Sequence, residues 1–321
     1  MSTLVKKLKF ALNLFLTTAI GYTYADPAFL CDGEQTSCCV CQPKCGQGFI
    51  TAEFLYWRPH LDGLDLCIPG NASDTVLPDG RIISIFRGKE RDPKFEWNPG
   101  FRIGAGYSYG CNQWDIGAFW THFNSKAHGS QFNNKSRWNI DLDVLDFVTG
   151  YQCCLNACWT LRPYVGIRGA RIDQKLHQGG LPNFTVFSIL DDNLIGINNK
   201  QKFEGIGPLF GLEADVSIGR GFSLYINGAV SWLYGRNRIQ LIDSLATTDV
   251  IDYCHTDKKT NSILTATDAS LGVRWATCFC SDKHFYLQLG FEHHNYYSYD
   301  RIGDHGDLSF DGIQLGAGVQ F

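Results

Sequence analysis

Apolar and polar residues alternate along much of this chain with a period of two, the spacing of a β-strand whose two faces meet different surroundings. The same alternation occurs in segments 101–109, 222–234 and 285–294. The C-terminal segment is the clearest case, because every second residue is apolar: Ile313, Leu315, Ala317, Val319 and Phe321. This pattern predicts ten strands: 49–58, 97–109, 113–124, 137–151, 159–173, 202–218, 222–236, 263–277, 284–297 and 309–321.

The predicted strands are long, whereas strands of soluble sheets usually have about five or six residues. They match the roughly ten residues that a tilted membrane strand needs. Their connections alternate between long and short, as in an antiparallel up-and-down barrel with tight periplasmic turns and extended outer loops. We therefore expect an all-β transmembrane barrel of about ten strands, in preference to a soluble β-sandwich. A further hairpin near Arg81 to Phe86 would make twelve.

The N-terminus has the order of a secretory signal peptide. Lys6, Lys7 and Lys9 precede the apolar run 10–20, and small or polar residues lead to Ala25. We expect cleavage after Ala25, a Cys-rich periplasmic segment at 26–47 and a barrel at 48–321. Because residues 48–321 contain no uncharged apolar stretch of about 18 residues, a closed barrel is the expected means of crossing the membrane.

Composition adds 34 Gly, 44% hydrophobic residues and a formal net charge of −4. Without a basic surplus to neutralise phosphates, we expect no nucleic-acid partner. Large aromatic side chains lie near the ends of the predicted strands, where an aromatic girdle at a membrane surface is expected. They are Trp57, Trp97, Trp120, Trp138, Trp159, Trp232, Tyr234 and Trp275.

Charged residues alternate with apolar neighbours in the predicted strands, and an arginine facing lipid at mid-membrane depth would cost about 2–4 kcal/mol. We therefore expect these charges to face the lumen. There they either line a water-filled, mildly cation-preferring passage or pair across a narrow barrel and close it. The predicted set is Arg102, Asp115, Asp141, Asp143, Arg162, Arg168, Glu213, Asp215, Asp268, Arg274 and Glu292.

Thirteen cysteines are unusual for a chain of this class, and in an oxidising periplasm disulfides are their expected state. Cys67 and Cys254 fall in predicted outer loops, where they could pair with each other. The rest are predicted on the periplasmic side: Cys31, Cys38, Cys39, Cys41, Cys45, Cys111, Cys153, Cys154, Cys158, Cys278 and Cys280. The spacings Cys38-x2-Cys41 and Cys278-x-Cys280 are compatible with metal ligands. A zinc site usually needs two such pairs with partner histidines, however, and exported Cys clusters are more often oxidised, so we expect no metal. We also predict that some of the periplasmic cysteines form intermolecular disulfides with other copies of the barrel or with other Cys-rich envelope proteins.

An enzyme is the alternative from a different class. Polar residues that suit general acid–base chemistry gather near the outer end of the last two predicted strands, although sequence spacing cannot show convergent geometry. They are His293, His294, Asp304, His305 and Asp307. No catalytic or cofactor motif occurs in a supporting context, so we expect no enzyme and no cofactor.

Four short strings resemble the Legionella major outer membrane protein family, whose relatives include porin-like proteins of chlamydia-related bacteria. They lie at Phe54–Arg58, Leu161–Arg168, Gly205–Glu213 and Leu287–His294. The resemblance spans about residue 48 to Phe321, while the Cys-dense start is more similar to the chlamydial side. It implies a pore-forming barrel of the bacterial outer membrane. Phe321 is similar to the C-terminal residue that such barrels present to their assembly machinery.

The resemblance favours a conducting pore for ions or small solutes over a closed structural or adhesin-type barrel. It also supports a structural role, because chlamydial porin complexes are linked by disulfides. The implied partners are outer-membrane lipid, the passing solutes, other copies of this chain and other Cys-rich envelope proteins.

Overall fold

A computed structural model describes ten long strands and a few short segments between them. The described residues are 46–61, 67–68, 72–76, 82–86, 89–90, 95–109, 113–129, 136–155, 158–178, 194–246, 251–279, 283–299 and 306–321. The predicted signal peptide at 1–25 and residues 26–45 of the predicted Cys-rich segment lie outside them. So do Cys111, Cys280, Asp304 and His305.

The ten strands form one closed antiparallel sheet, in which each strand pairs with its neighbours in the chain and the last pairs with the first. The closing register runs from Phe49 opposite Gln320 to Leu61 opposite Leu308. The ten-stranded prediction is therefore confirmed. The strands are β1 (Gln47–Leu61), β2 (Asn98–Tyr109), β3 (Trp114–Gly129), β4 (Ser136–Tyr151), β5 (Trp159–Gln178), β6 (Leu194–Gly219), β7 (Phe222–Ala246), β8 (Ile251–Phe279), β9 (Lys283–Tyr297) and β10 (Leu308–Gln320).

The hairpin expected near Arg81 to Phe86 forms, but it does not join the barrel. Residues 72–76 pair with 82–86 in a separate two-stranded sheet, and 67–68 pair with 89–90 in another. Both lie in the connection from β1 to β2, so the twelve-strand alternative is wrong. No helix in the described residues is long and apolar enough to cross a membrane.

The two ends of the barrel differ. At the inner end, β1 begins, β10 ends and the tight turns lie, such as the β6–β7 turn. There Gly219, Arg220 and Gly221 all have positive φ, which glycine adopts without steric cost. At the outer end, strands continue through segments predicted to be loops. β7 reaches Ala246 and β8 starts at Ile251, so most of 237–262 is a strand pair rather than a loop.

The two faces of the barrel wall exchange character along the strands. Toward the inner end of β4, the polar Asp146 faces the lumen and Phe147 is exposed on the outside. Toward its outer end, Ile140 and Leu142 are buried in the lumen and Asp141 faces out. The period of two continues along the strand, but the apolar residues change from the outward face to the inward face. The reason is that the outside of the barrel meets lipid near the inner end and water near the outer end.

The outward face of the inner part of the barrel carries the apolar band expected of a membrane barrel. Exposed aromatic side chains border the band, among them Trp97, Trp120, Trp159, Trp232 and Tyr234. Two tryptophans assigned to the girdle are placed wrongly by the prediction. Trp57 and Trp138 face inward and are buried, because they lie where the interior is apolar.

Candidate functional site

A cavity of about 650 Å³ occupies the inner part of the lumen. Gln152, Ser217 and Gln320 line it at the inner end, and Trp57 and Tyr296 line its deepest part. Its walls carry seven carboxylates and four arginines in addition to His284 and His294. These charges project from alternate positions of strands whose other face is apolar, so the lumen is where they avoid lipid.

Near the inner end, two arginines are held by three carboxylates. Arg162 donates to both oxygens of Asp115, at 2.7 and 2.5 Å, and lies 3.5 Å from Glu213. Arg274 donates to Glu213 at 2.9 Å and to Asp215 at 3.0 Å. Glu213 therefore bridges β5 and β8 through two guanidinium groups.

Tyrosine rings cover the same two arginines. The Arg162 guanidinium carbon lies 5.3 Å from the ring centre of Tyr164. That of Arg274 lies 5.1 Å from Tyr225 and 5.3 Å from Tyr286. Facing glycines make room for these rings: a Cβ on Gly211 would lie 2.1 Å from Tyr164, and one on Gly290 would lie 2.1 Å from the Tyr225 hydroxyl.

Deeper in the lumen, Arg102 joins three strands. It donates to Glu53 at 2.7 Å, to Glu292 at 2.8 Å and to the hydroxyl of Thr121 at 3.0 Å. Gln288 connects this group to the inner one, because its amide donates to Glu53 at 3.1 Å and its oxygen accepts from Arg274 at 3.3 Å.

His294 lies at the top of the network, between two carboxylates. Its Nδ1 is 2.7 Å from Asp268 and its Nε2 is 3.2 Å from Glu292. Asp268 also accepts from Arg168 at 2.5 Å, and Arg168 holds both oxygens of Asp146 at 2.7 and 2.8 Å. The ion pairs, joined by the hydrogen bonds of Gln288, thus form one chain of contacts from Asp115 to Asp146, which ties the walls of the barrel together.

The network satisfies most of its charges internally, but its seven carboxylates outnumber its four arginines by three. Buried ion pairs gain little net stability over apolar packing, although losing one partner is costly. The excess gives the lumen a cation-attracting potential.

Nine of the eleven residues predicted to line the pore face this lumen. Asp141 and Asp143 do not, and for them the prediction is wrong. Both lie on the outward face near the outer end, where Asn124 donates to Asp141 and His122 is 2.8 Å from Asp143. The nine inward residues are Arg102, Asp115, Arg162, Arg168, Glu213, Asp215, Asp268, Arg274 and Glu292.

Sequence reasoning missed three titratable members of the network: Glu53, Asp146 and His294. Glu53 and Asp146 are charged residues in the middle of predicted strands. The same property was used to predict the eleven lumen-facing residues, so it could have identified these two as well. In β4, however, acids occur on both faces. Because the inversion of the alternation was not anticipated, Asp141 and Asp143 were predicted to face the lumen in place of Asp146. His294 was considered only as part of a catalytic group.

An apolar layer fills the lumen beyond His294, toward the outer end. The Trp57 ring centre is 4.7 Å from that of His294, 5.4 Å from Phe123 and 6.0 Å from Phe310. Because these side chains exclude solvent, the layer closes the upper limit of the charged cavity. It comprises Leu55, Trp57, Phe123, Ile140, Leu142, Ile172, Phe203, Leu233, Tyr296 and Phe310, each at most 2% exposed.

Comparison with known proteins identifies the family. A profile described as the Legionella pneumophila major outer membrane protein precursor matches residues 43–319. The chain belongs to this family. It is therefore an outer-membrane protein, and the inner end of its barrel corresponds to the periplasmic side, where short turns are found. No curated protein matches the chain.

Solved barrels resemble this member of the major outer membrane protein family only distantly. The outer membrane protease OmpT from Escherichia coli is 12% identical over 87% of this chain and 97% of its own, with a TM-score of 0.41. A Pseudomonas aeruginosa FadL homologue is 9% identical over 87% and 90%, with a TM-score of 0.32. The Ralstonia pickettii toluene transporter TbuX is 10% identical over 88% and 90%, at 0.33.

The residues considered for an outer-membrane hydrolase do not converge in this family member. His293 and His294 are consecutive in β9 and therefore point to opposite sides of the wall. His293 is 2.5 Å from Asp311 on the outward face, whereas His294 lies in the lumen. Asp307 accepts a hydrogen bond from the backbone of Ser298. Within the described ranges, no group of three or more His, Cys, Asp or Glu side chains is arranged so that it could hold a metal ion.

The described cysteines near the periplasmic side lie at the connection from β4 to β5. Cys153 is a free thiol, and Cys154 and Cys158 line the cavity mouth. Cys67, Cys254 and Cys278 lie in strands, but their side chains are outside the described set. The predicted pairing of Cys67 with Cys254 and the intermolecular links stay predictions.

Proposed function

We propose that this protein is a porin-like barrel that passes small ions across the outer membrane and is held at low conductance by the apolar layer. The charged cavity in the inner part of the lumen is the observation that carries this proposal. A closed, purely structural barrel would not need charged groups around a space of this size, because buried charges cost desolvation energy.

The charges of the cavity support a preference for cations. Seven carboxylates face four arginines there, and Asp215 and Glu213 lie toward the inner end, where an ion enters from the periplasm. Surplus negative charge in a lumen raises the local concentration of cations and lowers that of anions.

The apolar layer is the barrier to conduction. Its rings pack edge to face, with Phe123 and Phe310 5.5 Å apart and Tyr296 and Phe310 6.1 Å apart. An apolar constriction blocks ions because water leaves it, so current requires these rings to move apart. The proposed conductance is therefore small and intermittent.

Planar-bilayer recording of the folded protein tests this function. We expect rare, small, cation-selective openings for the wild type and larger, sustained currents for Trp57→Ala/Phe123→Ala/Phe310→Ala. The matched control is Phe54→Ala/Trp120→Ala/Ile313→Ala, which truncates outward-facing side chains on the same three strands and should conduct like the wild type. Wide, stable channels in the wild type would show that the layer is not a barrier.

A closed structural barrel is the second candidate, and the same apolar layer favours it. Its rings are as buried as the core of a soluble protein. If neither the wild type nor the triple variant conducts while both are folded, the structural role is the better description.

We also propose that periplasmic cysteines link the barrel to other copies of the chain or to other Cys-rich envelope proteins. The free thiol of Cys153 at the inner end supports this role. Gels of native envelopes run with and without reductant test it. We expect high-molecular-weight bands that collapse to a monomer on reduction, and a monomer under both conditions would contradict the proposal.

A further inference from the structure

A basic patch lies on the outward face of one wall, immediately beyond the apolar band. On β6, β7 and β8 the last apolar row of the band is Ile206, Tyr234 and Ile263, whose side chains are among the most exposed in the barrel. The patch comprises Arg171, Lys175, Lys200, Lys202, Arg236, Arg238 and Lys259.

Strand register brings these cations close together. Two residues beyond the apolar row, Arg236 lies opposite Glu204, and two further on Arg238 lies between Lys202 and Lys259. Lys200 is opposite Lys175 in the next row. With strands about 4.8 Å apart and alternate residues about 7 Å apart, the patch covers an area about 15 Å on each side.

The acids within the patch are engaged by only some of its cations. Lys202 is 2.6 Å from Glu204 and Arg238 is 2.7 Å from Asp257. Asp173, which is largely buried, has Arg171 at 3.9 Å and Lys175 at 4.0 Å.

Three cations remain available for a ligand. Among the residues that the structure describes, no ion pair within 4 Å involves Lys200, Arg236 or Lys259, because Glu204 is held by Lys202 and Arg171 and Asp257 is held by Arg238. Arg236 and Lys259 are exposed. At the edge of the patch on β4, Asp141 and Asp143 are already engaged by Asn124 and His122.

The described part of the opposite wall lacks such a cluster. On β1, β9 and β10, Asp311 lies 3.4 Å from His60 and 2.5 Å from His293. Arg58 is the one arginine or lysine among the described residues in the outer halves of these three strands. The patch is therefore a local feature, in a chain whose net charge is −4.

We propose that this patch binds the phosphorylated headgroup of an outer-leaflet lipid, whose acyl chains lie against Ile206, Tyr234 and Ile263. Phosphate oxygens accept several charge-assisted hydrogen bonds from arginine and lysine. A soluble anion would contact only the basic patch, whereas a lipid would contact the patch with its headgroup and the adjoining apolar row with its acyl chains. The site lies outside the lumen and is independent of conduction.

Native mass spectrometry of the folded full-length protein tests this binding, with diphosphoryl lipid A as the probe. We expect Lys200→Gln/Arg236→Gln/Lys259→Gln to weaken binding by at least about tenfold, because each basic residue near an anionic lipid contributes on the order of a few-fold in affinity. The charge-preserving Lys200→Arg/Arg236→Lys/Lys259→Arg should retain binding.

The matched control is Lys126→Gln/Arg220→Gln/Lys283→Gln, which removes the same charge from exposed positions elsewhere and should bind like the wild type. Equal loss in both glutamine variants, or none in the patch variant, would overturn the proposal. So would equal binding of a phosphate-free lipid, or displacement by inorganic phosphate at the concentration of the lipid.

Discussion

The inner and outer parts of this barrel are built by the same strands with opposite chemistry. In the inner part, Arg102, Glu292 and their partners fill the lumen while Phe54 and Phe101 cover the outside. In the outer part, the apolar layer fills the lumen and the basic patch lies outside. The difference shows that the surrounding medium decides which face is apolar, since apolar side chains avoid water wherever it lies.

The inner part thus resembles a membrane barrel and the outer part a soluble one. The first must hold its charges by ion pairing, and the second gains stability from close packing of large rings. Substitutions in the two parts should therefore destabilise the protein for different reasons. The expected effects on stability and ion preference decrease from the outer apolar layer to the outward face.

The largest effect is expected in the outer part. Trp57→Ala/Phe310→Ala should lower the free energy of unfolding by more than about 5 kcal/mol, because each truncation leaves a cavity worth about 3–5 kcal/mol. The two losses of stability should not be fully additive, because the rings pack against each other with their centres 6.0 Å apart. Urea titration followed by heat-dependent gel mobility measures it. Phe54→Ala/Ile313→Ala, whose side chains face lipid, should lose clearly less, and an equal loss would contradict the comparison.

A smaller but still severe effect is expected at the junction of the two parts. Arg168→Met leaves Asp146 and Asp268 buried without their shared guanidinium, which should cost about 3–5 kcal/mol. Adding Asp268→Asn should recover part of the loss, because one uncompensated charge disappears. If the single variant unfolds at the wild-type urea concentration, the network does not stabilise the inner part.

Near the cavity mouth, the expected effect on stability is modest and the effect on ion preference is measurable. The Arg274 side chain is 25% exposed, so Arg274→Gln should cost about 1–2 kcal/mol after solvent screening. It also makes the lumen more negative by one charge, so cation selectivity should rise. Reversal potentials in a KCl gradient measure this change, with Arg220→Gln in the exposed turn as the control. An unchanged or more anionic preference would contradict it.

The smallest effect is expected on the outward face. Asp143→Asn should change the free energy of unfolding by less than about 0.5 kcal/mol, because its pair with His122 is solvent-exposed. Reversal potentials should not move. A shift of the reversal potential toward lower cation selectivity would place Asp143 in the ion path and contradict its outward orientation.

Sequence pattern was sufficient for the strands and for most of the lumen. The period-two alternation located all ten strands, because each wall residue must face either lipid or lumen. It misplaced Asp141, Asp143, Trp57 and Trp138 for one reason: the rule of polar inside and apolar outside was extended past the level at which the lipid ends. It also assigned strand extensions such as those of β7 and β8 to loops.

Local sequence by itself determined the alternation, the number of strands and the charges between apolar neighbours, because these depend on residue order along each strand. Only the tertiary structure decided that Arg168 joins Asp146 to Asp268, that Trp57 meets Phe310, and that Lys200, Arg236 and Lys259 share one surface. Those contacts join strands distant in sequence, and closure of the barrel sets their register and level. The level determines whether an apolar face meets lipid or fills the lumen.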